Sequence, residues 1–140
     1  MKKVYVAGAI NGSSAPQVLA NIKQGIKAGA TLLSLGFCPF IPHLDYSFAL
    51  CAEHGEEPNL QQYRDWCLEW LKVCDVIVVL AGSGNSEGVK VEIEYAIEHK
   101  IPVMTFEQFI YLQKQETEAI ERSDKSKFRT EILGEFIDEP

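Results

Sequence analysis

The chain is short of basic residues relative to acidic ones. Its 140 residues include 13 Lys and Arg against 20 Asp and Glu, a formal net charge of -7. Nucleic-acid polymers are held through clustered Lys and Arg, so this composition argues against such a partner. A single nucleotide is still allowed, because one helix N-terminus can bind one phosphate without a basic patch.

The chain also lacks closely spaced cysteines. Its four cysteines form no CxxC pair, and they are Cys38, Cys51, Cys67 and Cys74. This spacing indicates neither a zinc site nor a redox motif, so we expect no metal and no cofactor. Unpaired cysteines are commonly interior, and we expect free, largely buried thiols.

Long apolar runs are absent too. No stretch approaches the length of a membrane span, and the opening "MKKVYVAGAI" is too short and too lightly apolar for a signal peptide. We therefore expect a cytoplasmic protein without a membrane partner. With 46% hydrophobic residues the chain can bury a core, and we expect one domain over residues 1–122 followed by a charged tail over 123–140.

Strand-like and helix-like segments alternate along that domain. The apolar runs "KVYVA", "FCPFIP", "DVIVVLAG" and "IPVMTF" read as strands. Helical periodicity follows Pro16, Asn59, Ser86 and Phe106, and the structure of residues 43–58 is left open. Such alternation predicts an α/β fold, a flavodoxin- or Rossmann-like three-layer sandwich. Its parallel sheet would have four or five strands, with helices on both faces.

Two loops rich in Gly, Ser and Asn follow the first and third predicted strands. Ligands bind at the carboxyl ends of parallel strands, so "GAINGSS" and "AGSGNS" should form a site together. The second loop leads into a helix on which Glu92 falls along the edge of the apolar stripe. The plainer alternative is that Asn85 or Ser86 only caps the helix and that Glu92 is exposed.

Several segments together resemble the nucleoside 2-deoxyribosyltransferase superfamily, which also includes deoxynucleoside 5′-monophosphate N-glycosidases. The stretch "SEGVKVEIEYA" matches the SxGxxxE signature, and "VYVAGAI", "CDVIVVL" and "EYAIEHKIPV" follow the family order over about residues 3–105. The resemblance implies cleavage or transfer of the base of a 2′-deoxynucleoside or its 5′-monophosphate. The ligand would be a small nucleoside or nucleotide, and the protein a homodimer or higher homo-oligomer.

The resemblance also assigns roles to residues. Glu92 would attack the anomeric carbon and form a covalent glycosyl-enzyme, as an oxocarbenium-like reaction allows. Tyr5 would hold Glu92 or the sugar, although an ordinary strand tyrosine is an equal alternative. Ser86 matches the position that contacts the 5′ end of the substrate, and a hydroxyl there suits a phosphate. The other expected contacts lie in the same two loops and are Gly8, Ala9, Asn11 and Gly88.

The chain departs from the family pattern on the helix before the third strand. The family usually places an Asp eight residues before the central-strand acid, here Asp75, but that position holds Cys67. Asp65 is the nearest upstream carboxylate and could act as the acid only with a shifted helical register. Asp75 could contact substrate, but a structural role at the start of its strand is favoured.

Two further residues follow the second strand. His43 and Asp45 could enter the site to handle the base or the sugar, whereas His43 could equally be an ordinary loop histidine. On the next helix the spacing places Trp70 in the core. Because of the departure at Cys67, a second interpretation is a catalytically impaired nucleotide-binding or sensing module on the same fold.

Overall fold

The computed structural model describes residues 1–137, and residues 138–140 lie outside the described part. Strands and helices alternate through most of the chain. The strands are β1 (Lys3–Ala7), β2 (Cys38–Phe40), β3 (Val76–Val79) and β4 (Val103–Thr105). The α-helices are α1 (Ala15–Ser34), α2 (Leu60–Leu71), α3 (Glu87–Glu98) and α4 (Phe106–Ile137). A 3₁₀ helix over Pro42–Leu50, here called the 3₁₀ segment, lies between β2 and α2 in the chain.

The strands form a parallel sheet in the order β2-β1-β3-β4 within the described chain. This confirms the α/β class and the parallel sheet. Because β1 connects outward to β2 and β3 connects outward to β4, the loops after β1 and β3 diverge at the centre of the sheet. That divergence opens a crevice beyond the carboxyl ends of these two strands.

Both faces of the sheet are buried. Tyr5 and Ile77 point to the face where α2 and α3 pack, together with Cys67, Leu71 and Val89. Side chains alternate along a strand, so the fully buried Val4 and Val6 point to the opposite face, and α1 contacts this strand. The central strands are therefore apolar throughout, as expected of a parallel sheet covered on both sides.

The helix ends follow from local sequence. Ser14 caps α1 by accepting a hydrogen bond from the Gln17 N–H at 3.3 Å, and Pro16 lies in the first turn. Asn59 begins α2 with a reciprocal capping box to Gln62. Gly36 follows α1 at φ +89°, a conformation that glycine adopts without strain.

The chain divides into two compact units, Met1–Phe106 and Glu107–Pro140. We expected the charged stretch from residue 123 to be a separate tail, but α4 runs without interruption to Ile137. Residues 123–137 thus continue the preceding helix, while 138–140 lie outside the described residues. The domain boundary between residues 122 and 123 stays a prediction.

Two smaller expectations need correction. Cys67 and Cys74 are buried, but Cys38 and Cys51 are exposed, and all four thiols are free. Trp70 is 48% exposed rather than in the core. Its ring stacks on Phe40 with the ring centroids 5.5 Å apart, and Phe40 lies on β2, an edge strand of the sheet, where fewer elements cover the ring.

Candidate active site

A cleft of about 840 Å³ lies at the carboxyl ends of β1 and β3. This volume falls in the range of roughly 300–1,000 Å³ that is usual for small-molecule sites. Its walls come from the loop after β1, the 3₁₀ segment, α2, the loop after β3 and the first turns of α3. The cleft therefore occupies the position at which the topology places a ligand site.

Glu92 projects from α3 into this cleft. The Tyr5 hydroxyl donates a hydrogen bond to Glu92 Oε1 at 2.7 Å, and Tyr5 is fully buried on β1. Burial raises the pKa of Glu92 from 4.5 to about 7, the nearby Asp45 charge adds to the rise, and the Tyr5 bond opposes it. Glu92 is thus a half-buried carboxylate held by a neutral donor, with no cation bound to it among the described residues.

Cys67 lies beside this pair on α2. Burial raises the pKa of its thiol to about 12, while its contact with the Tyr5 hydroxyl opposes the shift. Burial and the Glu92 charge also raise the pKa of Tyr5 well above 10, so Tyr5 stays protonated as a donor. Glu92 therefore titrates beside two groups that stay protonated at neutral pH, the Tyr5 hydroxyl and the Cys67 thiol.

The loop after β1 is held by side chains from elsewhere. The Ala9 N–H donates to the Ser83 hydroxyl at 3.0 Å, which ties this loop to the loop after β3. The Asn21 amide on α1 donates to the Ile10 and Asn11 carbonyls at 3.3 and 3.0 Å. These bonds preorganise the backbone of both loops around the cleft.

Ser86 lines the cleft and is the N-cap of α3. Its hydroxyl accepts a hydrogen bond from the Val89 N–H at 3.3 Å. Gly88 has open space where a Cβ would point, apart from the Ser86 hydroxyl at 3.8 Å. The positive end of α3 therefore faces the cleft with small residues around it, which favours an anionic group.

Most of the predicted site residues meet here. The described lining includes Gly8, Ala9, Asn11, Asp45, Ser86, Gly88 and Glu92, and Tyr5 joins them through its bond to Glu92. Glu92 is not the exposed residue of the plainer alternative.

Two predicted acids lie elsewhere. Asp65 is exposed on α2 and accepts a hydrogen bond from the Gln61 amide at 2.8 Å, because the register of α2 turns Cys67 rather than Asp65 towards the cleft. Asp75 precedes β3 at the amino end of the sheet, where its Oδ2 accepts from the Lys3 N–H at 2.7 Å. The expectations that Asp65 acts as the acid and that Asp75 binds substrate are corrected, and the structural alternative for Asp75 holds.

His43 does not enter the cleft either. It is 1% exposed and packs beneath Gly8, where an added Cβ would come within 2.9 Å of His43 Nε2. Gly25 on α1 makes room for the other side of the ring. Burial lowers the pKa of His43, and a backbone interaction with Ala9 opposes that shift. Its ring packs behind the loop after β1, outside the described lining of the cleft, so the expectation that His43 enters the site is corrected.

Sequence reasoning missed part of the α2 wall. Tyr63 and Arg64 line the cleft, and Arg64 is its one cation among the described lining residues. The sequence places both residues one turn before Cys67 on the same helix, a signal that was available once Cys67 was assigned to the site.

In the described part of the chain, no group of three or more His, Cys, Asp or Glu is arranged to hold a metal ion. Likewise, no helix over residues 1–137 is long and apolar enough to cross a membrane.

The fold and cleft define a small α/β protein with a parallel sheet and a ligand-sized site at its topological switch point. The chain belongs to the family described as a domain of unknown function, DUF7768, whose model matches residues 2–106. Comparison with curated proteins finds no match.

Solved structures share the fold. One is a 2-deoxyribosyltransferase from the psychrotolerant bacterium Bacillus psychrosaccharolyticus, similar at 20% identity and a TM-score of 0.52, over 74% of this chain and 70% of that one. Another is a conserved protein from Enterococcus faecalis V583, at 21% identity and a TM-score of 0.58, over 74% of this chain and 61% of that one. At these identities the similarity shows a common fold.

Proposed function

We propose that the protein cleaves or transfers the base of a 2′-deoxynucleoside or its 5′-monophosphate through a glycosyl-Glu92 intermediate. The observation that carries the proposal is the Glu92 carboxylate, half-buried in the cleft and bonded to the Tyr5 hydroxyl at 2.7 Å. Glu92 also ends the SxGxxxE stretch, and the fold is one that a 2-deoxyribosyltransferase shares.

In the first step, one Glu92 oxygen forms a bond to the anomeric carbon. The bond between that carbon and the base breaks, and its electron pair leaves with the base. A partly desolvated carboxylate stabilises the developing positive charge of the sugar more strongly than an exposed one does. Tyr5 binds Oε1 and so orients the carboxylate for attack.

In the second step, water or an acceptor base attacks the same carbon and the bond to Glu92 breaks. Water gives a hydrolase and an acceptor base gives a transferase. At about 840 Å³ the cleft lies in the upper part of the roughly 300–1,000 Å³ range of small-molecule sites, a size that suits either reaction.

A 5′-monophosphate suits the α3 end of the cleft. Ser86 offers a hydroxyl beside the helix N-terminus, and Arg64 on α2 supplies a positive charge to the same cleft. Ser86→Asp adds a negative charge there, so we expect it to reduce monophosphate use by about tenfold relative to the nucleoside. Equal use of both substrates by the wild type would remove the phosphate preference from the proposal.

A binding or sensing module is the second candidate. The observation that favours it is Cys67, whose buried thiol replaces the expected acid and does not ionise near neutral pH. Such a module would bind nucleotide without releasing base. The homo-oligomer and the cytoplasmic location carry over into either candidate as predictions.

Chromatographic detection of base release tests the proposal. Deoxynucleosides, ribonucleosides and their monophosphates are incubated with the wild type, with and without an acceptor base. We expect release that Glu92→Gln abolishes and that Glu94→Gln leaves unchanged, because Glu94 is exposed on the same helix. No release from any substrate, with nucleotide binding still measurable by calorimetry, would contradict the proposed enzymatic activity and support the nucleotide-binding or sensing module.

A further inference from the structure

The departing base needs a proton that α2 does not supply. A neutral purine or pyrimidine leaves poorly as an anion, and general acid catalysis is worth about 10²- to 10⁴-fold in such steps. Cys67 occupies the expected acid position, and burial raises its pKa to about 12. A proton donor must therefore come from another wall of the cleft.

Asp45 brings a carboxyl group to that region from the 3₁₀ segment. It is half-buried and lines the same cleft as Glu92. Its charge acts on Tyr63, Cys67 and Glu92, raising the pKa of each. Asp45 and the thiol that replaces the expected acid thus line one cleft, and Asp45 approaches it from a different element than the nucleophile.

The other proton-bearing groups of the described lining fit this role less well. Glu57 is exposed, and Glu87 is exposed and pairs with Lys90 at 3.2 Å. Burial and the nearby carboxylates raise the pKa of Tyr63 above 10, so it is too weak an acid to match Asp45. Burial raises the pKa of Asp45 as well, in the direction that a proton donor requires.

We propose that Asp45 is the proton donor to the leaving base, taking the place of the carboxyl group that Cys67 replaces on α2. The proposal rests on the proposed function, since it assigns a role within that reaction.

The Asp45 carboxyl gives its proton to a ring nitrogen of the base while the glycosidic bond breaks and Glu92 bonds to the sugar. Asp45 is then a carboxylate. It takes a proton from the attacking water or acceptor base as the new bond forms and the bond to Glu92 breaks, so both carboxyls return to their starting states.

Burial raises the pKa of both carboxyls, and the Asp45 charge adds to the rise at Glu92. The reactive form has the proton on Asp45 and the charge on Glu92, where the Tyr5 hydroxyl stabilises it.

The dependence on the leaving group tests this assignment. The best substrate of the panel is compared with a cationic analogue whose base departs neutral without a proton. The analogue is the N7-methyl derivative for a purine and the pyridinium 2′-deoxyriboside for a pyrimidine. We expect Asp45→Asn to slow the neutral substrate by about 10²-fold or more and to leave the cationic one near the wild-type rate.

Asp65→Asn is the matched control, because Asp65 is an exposed carboxyl outside the cleft. It should change neither rate, and circular dichroism verifies the fold of both variants. Equal loss on both substrates, or no loss on either, would overturn the role of Asp45 while base release by the wild type keeps the proposed function. Failure of the wild type to release any base would instead remove the proposed function itself.

Discussion

Two acids at opposite ends of the sheet show how environment separates structure from function. At the carboxyl end Glu92 is half-buried, bonded to a neutral hydroxyl, and has its pKa raised to about 7. At the amino end Asp75 is exposed and accepts a backbone N–H of the neighbouring strand at 2.7 Å. Burial of Glu92 makes its ionisation costly, whereas Asp75 stabilises the junction between two strands.

The pH dependence of turnover is the largest expected difference between the two acids. Glu92 attacks as a carboxylate, and protonation below its pKa of about 7 removes the nucleophile. Turnover of the cationic analogue, which needs no proton from Asp45, should therefore fall about tenfold per pH unit well below that value, or about 50-fold from pH 7 to pH 5. Asp75→Asn should leave the rate profile unchanged. An acidic limb centred near pH 4 would contradict the assigned environment of Glu92.

The residue that turnover needs should lower the stability of the folded protein at high pH. The folded protein binds a proton at Glu92 more tightly than the unfolded chain does, so the free energy of unfolding falls as pH rises from 4.5 to about 7. Glu92→Gln removes this loss and should stabilise the protein at pH 8 by about 3 kcal/mol, with little effect at pH 4. Thermal or urea unfolding at the two pH values measures it. Destabilisation by Glu92→Gln at pH 8 would contradict the burial cost.

Tyr5→Phe sharpens the account of how Glu92 is held. The hydroxyl favours the ionised carboxylate, so its removal should raise the pKa of Glu92 further and move the acidic limb of turnover to higher pH. A rise of one pKa unit lowers the ionised fraction at pH 7 from about one half to about one tenth, so we expect a loss of about fivefold for the cationic analogue at that pH. An equal rate loss at every pH, with the limb unmoved, would assign Tyr5 to packing alone.

The smallest expected effect belongs to Asp75→Ala. The variant loses the acceptor for the Lys3 N–H at an exposed position, where water can replace it. We expect a loss of about 1 kcal/mol in the free energy of unfolding and unchanged base release. Loss of turnover in a folded Asp75→Ala protein would contradict the purely structural role and show that Asp75 contributes to the reaction.

The sequence predicted the sheet and the site position better than it predicted side-chain directions on α2. The continuous β-branched run before the second loop has one plausible environment, a strand buried on both faces. On a helix, adjacent positions differ by about 100°. Asp65, two positions before Cys67, was therefore a candidate acid from the sequence, but the helical register of α2 leaves its side chain exposed.

By itself the sequence determined the alternation of strands and helices, the two small-residue loops and the acid on α3. These features depend on local periodicity and turn chemistry, which a short stretch carries within itself. Only the tertiary structure decided that Tyr5 holds Glu92, 87 residues away, and that Asp45 lines the same cleft as Cys67. Burial and charge act between residues that the fold brings together, so no local pattern could specify those pKa values or contacts.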